Sequence, residues 1–195
     1  MAFVINEDKA LKSLLSNTSV SDATNQTRLV NVWFSQPDVE IRTQSYPYML
    51  IDLVDISLDS EREQRGFVRL PYTPEGKNQN KKYFTEFPIP VNIDYQVSAY
   101  SRHPMHDRQI LASMLTNITP FRFGNLEIPE DKTLRRLELL GYVKRDRTDE
   151  NNKRLYINVF DLRVSSEYFP SKLLEVQAVS NVRLTVTGSF NRSVS

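Results

Sequence analysis

The chain has 195 residues, with 25 lysines and arginines against 24 aspartates and glutamates, a formal net charge of +1. That balance argues against a uniformly basic nucleic-acid binder, and the length lets one domain, or one domain with a substantial insertion, bury a core without metals or cross-links. The absence of cysteine excludes disulfides, thiolate zinc sites and thiol nucleophiles.

The first segment has no signal-peptide character, because Glu7, Asp8, Lys9 and Lys12 interrupt any apolar run. No later run approaches the ~20 apolar residues that a membrane-spanning helix needs. A soluble protein made in the cytoplasm, with no membrane partner, is expected. Asn6 is placed to cap a helix over 6–16, in which Ala10, Leu11, Leu14 and Leu15 recur at helical spacing. Residues 17–27 read as a polar, turn-rich loop. Val30, Val32 and Phe34 alternate with Asn31, Trp33 and Ser35, which predicts a strand that Pro37 ends or bends. A second strand is predicted over 48–58, rich in Leu, Ile and Val. Asp52, Asp55 and Asp59, spaced along it, mark a solvated or interface side.

From 59 to 86 the composition turns polar, with charged runs at 61–65 and 76–82 flanking a short strand over 67–70. A stretch of this length inside a domain is usually functional or disordered, and it reads as a projecting arm or hairpin. The clearest pattern lies in 87–100. Val91, Ile93, Tyr95, Val97 and Ala99 share one face of a strand, and Asn92, Asp94, Gln96 and Ser98 the other. Pro88 and Pro90 lack amide donors and belong at its start or on an edge. Pro104 suits the first turn of a helix whose buried stripe is Ile110, Leu111, Met114, Leu115 and Ile118, with Pro120 as its stop.

After 125–128 comes 130–143, carrying Leu134, Leu137, Leu139, Leu140 and Val143 as either helix or strand. A strand follows over 155–164. Its apolar phase changes from odd positions (Leu155, Ile157, Val159) to even ones (Phe160, Leu162, Val164), for which a bulge near Val159 is expected. Val182, Leu184 and Val186 mark a closing strand before a polar tail. The expected fold is α/β (α+β): a mostly antiparallel or mixed sheet flanked by two or more helices. A single domain over 1–195 is expected, with a polar arm at 59–86 and a charged hairpin at 144–154.

Chemistry has little to build on. His103, His106 and Asp107 could supply part of a metal site, but a helix N-terminus with Pro104 at its first position explains them as well. Asp38 followed by Glu75 and Lys77 resembles the signature of a metal-dependent nuclease, yet the second group sits in loop composition that cannot hold it rigidly. The five glycines are too dispersed for a phosphate-cradling loop, and no serine lies in a nucleophile-elbow context. No cofactor and no enzymatic activity are expected. A competing signal runs from Thr133 to Val159, which resembles the recognition-helix end and basic wing of winged-helix repressors. Arg145, Arg147, Lys153 and Arg154 would contact phosphates there, although Asp146, Asp149 and Glu150 dilute the charge.

The strand with prolines at 88 and 90, followed directly by a helix holding Asp107, Arg108, Gln109, Ile110 and Leu111, is similar to the strand–helix unit of tail terminator (tail completion) proteins of tailed bacteriophages. The preceding order of a helix, strands around 46–51 and a long polar arm fits as well, so the resemblance covers about residues 1–125. It implies a structural virion protein of the tail or neck region, made and assembled in the host cytoplasm. Its copies form a ring, a hexamer, on the end of the tail tube protein, stop polymerisation, and offer a docking surface to a head-completion, neck or connector protein, and to sheath protein where one exists. Genomic DNA would pass the ring without sequence-specific contact. The expected contact residues between subunits, or to tube and neck, are Arg62, Arg65, Arg69, Lys77, Lys81 and Lys82 of the arm, and Arg145, Arg147, Lys153 and Arg154 of the hairpin.

Overall fold

The computed structural model describes residues 3–22, 26–35, 45–79, 81–130, 132–148, 153–170 and 173–177. The chain forms two compact units, one of Met1–Glu63 with Ile89–Tyr168, the other of Gln64–Pro88 with Phe169–Ser195. In the first, α1 (Ile5–Ser16) leads into a ribbon of β1 (Ser19–Ser21) and β2 (Thr27–Leu29), then β3 (Asn31–Phe34) and β4 (Tyr48–Leu58). The chain leaves for β5 (Phe67–Arg69) and β6 (Lys81–Glu86) of the second unit. It returns as β7 (Ile89–Ser101), α2 (Pro104–Ser113), β8 (Phe123–Ile128), β9 (Thr133–Lys144), β10 (Arg147–Thr148) and β11 (Arg154–Tyr168). The last strand, β12 (Leu173–Gln177), belongs to the second unit.

The main sheet runs β3-β4-β7-β11-β9-β8, with β10 also beside β11. Among the described residues only β3 and β4 pair in parallel. The architecture is therefore the expected α+β one, a mixed and mainly antiparallel sheet with two helices. Because side chains alternate across a strand, the pairing of Val97 with Ile51 and Phe160, and of Ile93 with Val164, gathers one apolar face. Ala10, Leu11 and Leu15 of α1 join that face in one buried cluster. So do Ile110 of α2 and Met114 and Ile118 of the π-helical turn that follows it.

Several local expectations change. Asn6 does not cap α1. Val4, at φ 72°, turns the chain into the helix and its carbonyl accepts the Asp8 amide at 2.8 Å, so Asn6 is buried within the first turn. The loop read over 17–27 holds β1 and the start of β2, a ribbon tied to α2 by two bonds of 2.9 Å, one from the Ser21 amide to Gln109 Oε1 and one from Gln109 Nε2 to Ser21 Oγ. No bulge interrupts β11 at Val159, since its register with β7 is unbroken from Tyr156 to Tyr168. Ile157, Asn158, Val159 and Phe160 are all buried, so a strand covered on both faces produces the change of apolar phase. The slip lies in β9, where Leu140 has no partner between the Asp161–Gly141 and Leu162–Leu139 pairs. Pro37 and the strand expected at 182–186 lie outside the described residues.

Two carboxylates, buried Asp107 and half-buried Asp8, bind the helices to the sheet. Asp107, in the first turn of α2, accepts from Asn158 Nδ2 at 2.7 Å and from Lys144 Nζ at 2.6 Å. Asp8 of α1 accepts from the Tyr95 hydroxyl at 2.7 Å. Burial pushes the Asp8 carboxyl above its usual range, the Tyr95 bond pulls it partly back, and Glu7 adds to the rise. A carboxyl with a raised folded-state pKa favours folding most at low pH, and that contribution is lost as pH climbs from the unfolded value to the folded one. Tyr95→Phe removes a bond that favours the ionised form. It is expected to cost about 1–2 kcal/mol at pH 7 and less at pH 3, measured by urea unfolding. An equal loss at both pH values would show that the bond does not distinguish the ionised carboxylate.

Gly124 lies where β8 passes the end of the π-helical turn. A Cβ there would sit 2.1 Å from the Ile118 carbonyl oxygen, so backbone would have to move. Gly124→Ala is expected to destabilise by about 2–3 kcal/mol, seen as a lowered Tm. An unchanged Tm would mean that 118–124 yields freely.

In the second unit β6 is the centre of a three-stranded sheet, β12-β6-β5, all antiparallel. The stretch read as a polar arm with one short strand thus holds two. Tyr83 of β6 is buried and donates its hydroxyl to the Asn78 carbonyl at 3.1 Å, and Lys81 pairs with Glu175 across the β6–β12 ladder at 2.8 Å.

Candidate assembly surface

β4 has a described neighbour on one side for only its first four residues of eleven. β3 pairs with Tyr48–Ile51, and beyond Ile51 no described strand lies on that side. Val54 bulges out of the β7 register, between the Leu53–Tyr95 and Asp55–Asp94 pairs. Leu53, Ile56 and Leu58 stand opposite Tyr95, Ile93 and Val91, so they point to the core side of the sheet. Their partners are buried, yet they remain 43%, 42% and 74% exposed, and Val54 62%. An unpaired strand edge with four exposed aliphatic side chains is a template for another chain. Asp52 and Asp55 border it, both exposed. At the other end of the sheet β8 pairs only with β9, and there Arg136 lies over the half-exposed Phe123 ring at 4.2 Å, beside exposed Arg122.

On the sheet's opposite face, polar pairs line up across strands. Arg163 grips Asp94 with two bonds of 2.7 and 2.8 Å, the bidentate geometry that a guanidinium and a carboxylate favour. Where that face meets the 144–148 segment, a recess of about 310 Å³ opens between Tyr48, Tyr100 and Arg145 and Arg147.

The ten cationic residues singled out from the sequence divide. Arg62 is held by Asp59 at 2.6 Å, Lys77 and Lys81 by Glu175 at 3.7 and 2.8 Å, and Arg154 by Asp146 at 3.0 Å. These four are occupied within the chain. Arg65, itself in contact with other groups, and Arg69 and Lys153 are exposed, and Lys82 is half-buried. Only Arg145 and Arg147 are brought together with other side chains around one concavity. The aliphatic run on the β4 edge and the tyrosines of the recess were not picked out from the sequence. Leu53, Val54, Ile56 and Leu58 among three aspartates was the available signal, since a buried strand would not carry them.

The histidines have local tasks. His103 caps α2, its Nδ1 accepting the Met105 amide at 3.2 Å, and His106 Nε2 lies 2.5 Å from Asp22 Oδ1, where Asp22 also holds Arg28. Among the described residues no group of three or more His, Asp or Glu is placed to hold a metal ion. Asp38 of the nuclease pattern lies outside the described residues. The winged-helix reading fails on topology: residues 133–144 are strand β9, inside the sheet, so there is no recognition helix to enter a groove. Among the described residues, no helix is long and apolar enough to cross a membrane.

No protein-family model matches the sequence, and no curated protein matches it. Among solved structures, one similar chain is described as the PVC sheath/tube terminator, in the extended state, of an extracellular contractile injection system. It is 15% identical, with a TM-score of 0.45, over 99% of this chain and 66% of that one. Another is described as the tube-terminating cap of the anti-feeding prophage, 17% identical, TM-score 0.46, over 94% of this chain and 61% of that one. The chain thus spans 66% and 61% of the lengths of these two.

Proposed function

We propose that this chain is a structural tail-terminator subunit, working through its surfaces and without a reacting group. Copies join head to tail into a ring, a hexamer, on the end of a tail tube, stop its growth, and present a surface to neck or connector protein and to sheath. DNA passes through without sequence-specific contact. The observation that carries this reading is the exposed apolar edge of β4 from Asp52 to Leu58. A strand edge of this kind is a liability for a protein that stays alone and an asset for one that is covered by a neighbour. The edges of β4 and β8 differ in sequence and in charge, so they suit a heterologous contact, which closes into a ring when its rotation permits. The strand–helix unit at 87–111, with its resemblance to tail terminators, supports the same assignment.

The test is mass in solution, alone and after mixing with tail tubes of the particle encoded alongside this chain. A multiple of the monomer mass, and electron micrographs with density on one tube end, are expected. A protein that stays monomeric and ignores tube ends overturns the proposal.

A further inference from the structure

The recess between Tyr48, Tyr100, Arg145 and Arg147 has features that ring formation at the sheet edges does not use. Its position is set by pairing: the Arg145 amide donates to the Ile157 carbonyl at 2.8 Å, and Arg147 stands opposite Leu155 in the β10–β11 ladder. The two guanidinium groups, two residues apart on extended chain, therefore belong to one face. Neither has an ion-pair partner among the described residues, whereas nearby Arg154 and Lys144 are held by Asp146 and Asp107. Ile157, Val159 and Leu155 form the apolar wall. Tyr48 stacks on Tyr100 with ring centres 4.8 Å apart. Tyr48 has no exposed surface, so it supports the Tyr100 ring from within and offers no surface to a ligand.

We propose that this recess binds the C-terminal residue of a partner peptide, its free carboxylate between Arg145 and Arg147 and its apolar side chain against Ile157 and Val159. Guanidinium groups pair with carboxylates bidentately, and both of these are exposed. The volume of about 310 Å³ lies at the small end of the ~300–1,000 Å³ of ligand pockets, room for one terminal residue. A nucleic-acid backbone is a poorer fit, because phosphates are met along open, solvated surfaces and this wall is aliphatic. The proposal goes beyond the ring and does not depend on it: the site lies within one copy.

The full chain is titrated with N-acetyl-phenylalanine, with its amide, and with a short single-stranded DNA, followed by NMR shifts of the tyrosine rings. Binding of the acid with a Kd on the order of 1 mM is expected for a ligand of this size, at least tenfold tighter than the amide. Arg145→Gln with Arg147→Gln should weaken the acid at least tenfold, and Arg154→Gln should leave it unchanged. Tyr48→Phe, at a side chain with no exposed surface, should leave it unchanged as well. Equal binding of acid and amide, no saturation of the acid by about 20 mM, or DNA displacing the acid through the same two arginines would each overturn the assignment.

Discussion

Val97→Asp leaves the protein insoluble or unfolded, while Asn92→Asp on the neighbouring face of the same strand is expressed and melts cooperatively. Val97 has no exposed surface and lies mid-strand in β7, flanked by Ile51 on β4 and Phe160 on β11. A carboxylate there would have no donor within the apolar cluster that joins both helices to the sheet. The cost of burying an unpaired charge in such a place is several kcal/mol, comparable with the whole stability of about 5–15 kcal/mol expected of a domain. Asn92 is half-buried on the polar face, where its side-chain oxygen already accepts from Ser165 Oγ at 3.4 Å, a role that an aspartate keeps. Solubility on expression and a thermal melt decide it. A soluble, cooperatively folded Val97→Asp protein would mean that the faces of β7 are assigned the wrong way round.

Val54→Lys combined with Leu58→Lys should do the reverse, sparing the fold and removing the assembly. Val54 is 62% and Leu58 74% exposed, and Val54 bulges out of the ladder, so neither supports the core of its own subunit. If a neighbour covers them, each loses burial worth on the order of 2 kcal/mol and leaves a buried ammonium behind. Together the two changes should weaken subunit association at least a hundredfold, at roughly 1.4 kcal/mol per tenfold. Light scattering coupled to size exclusion would show the ring mass falling to that of the monomer, with the far-ultraviolet circular dichroism unchanged. Wild type and variant sharing one oligomeric mass would remove the β4 edge from the interface.

β7 was legible along its whole length. It is covered on one face and half-covered on the other, so its sequence alternates, and alternation over 91–99 has no helical interpretation. β4 was found with its ends at Tyr48 and Leu58, and α2 with Pro104 at its first turn, because these are local signals of composition and capping chemistry. Leu134, Leu137, Leu139 and Leu140 left β9 open between helix and strand. Their spacing does not alternate, for two reasons: Leu134 is exposed on the face opposite buried Leu137, and the Leu140 bulge adds a residue further along.

Composition and local spacing alone therefore determined the class of the fold, its central strand, its α2 helix and the lack of any cysteine chemistry. Pairing over long separations decided the rest. β6 begins with two lysines and reads as loop until β12, about ninety residues later, lies beside it. Arg145 and Arg147 look like any charged hairpin until β11 brings them to the face that carries Tyr48 and Tyr100. Asp107 looks like a helix-dipole aspartate until Asn158 and Lys144 close on it. The physical reason is the same in each case. A residue's periodicity reports which side of its own element faces water, whereas its partners are set by which strands the whole sheet places next to one another, and that is a property of the folded chain.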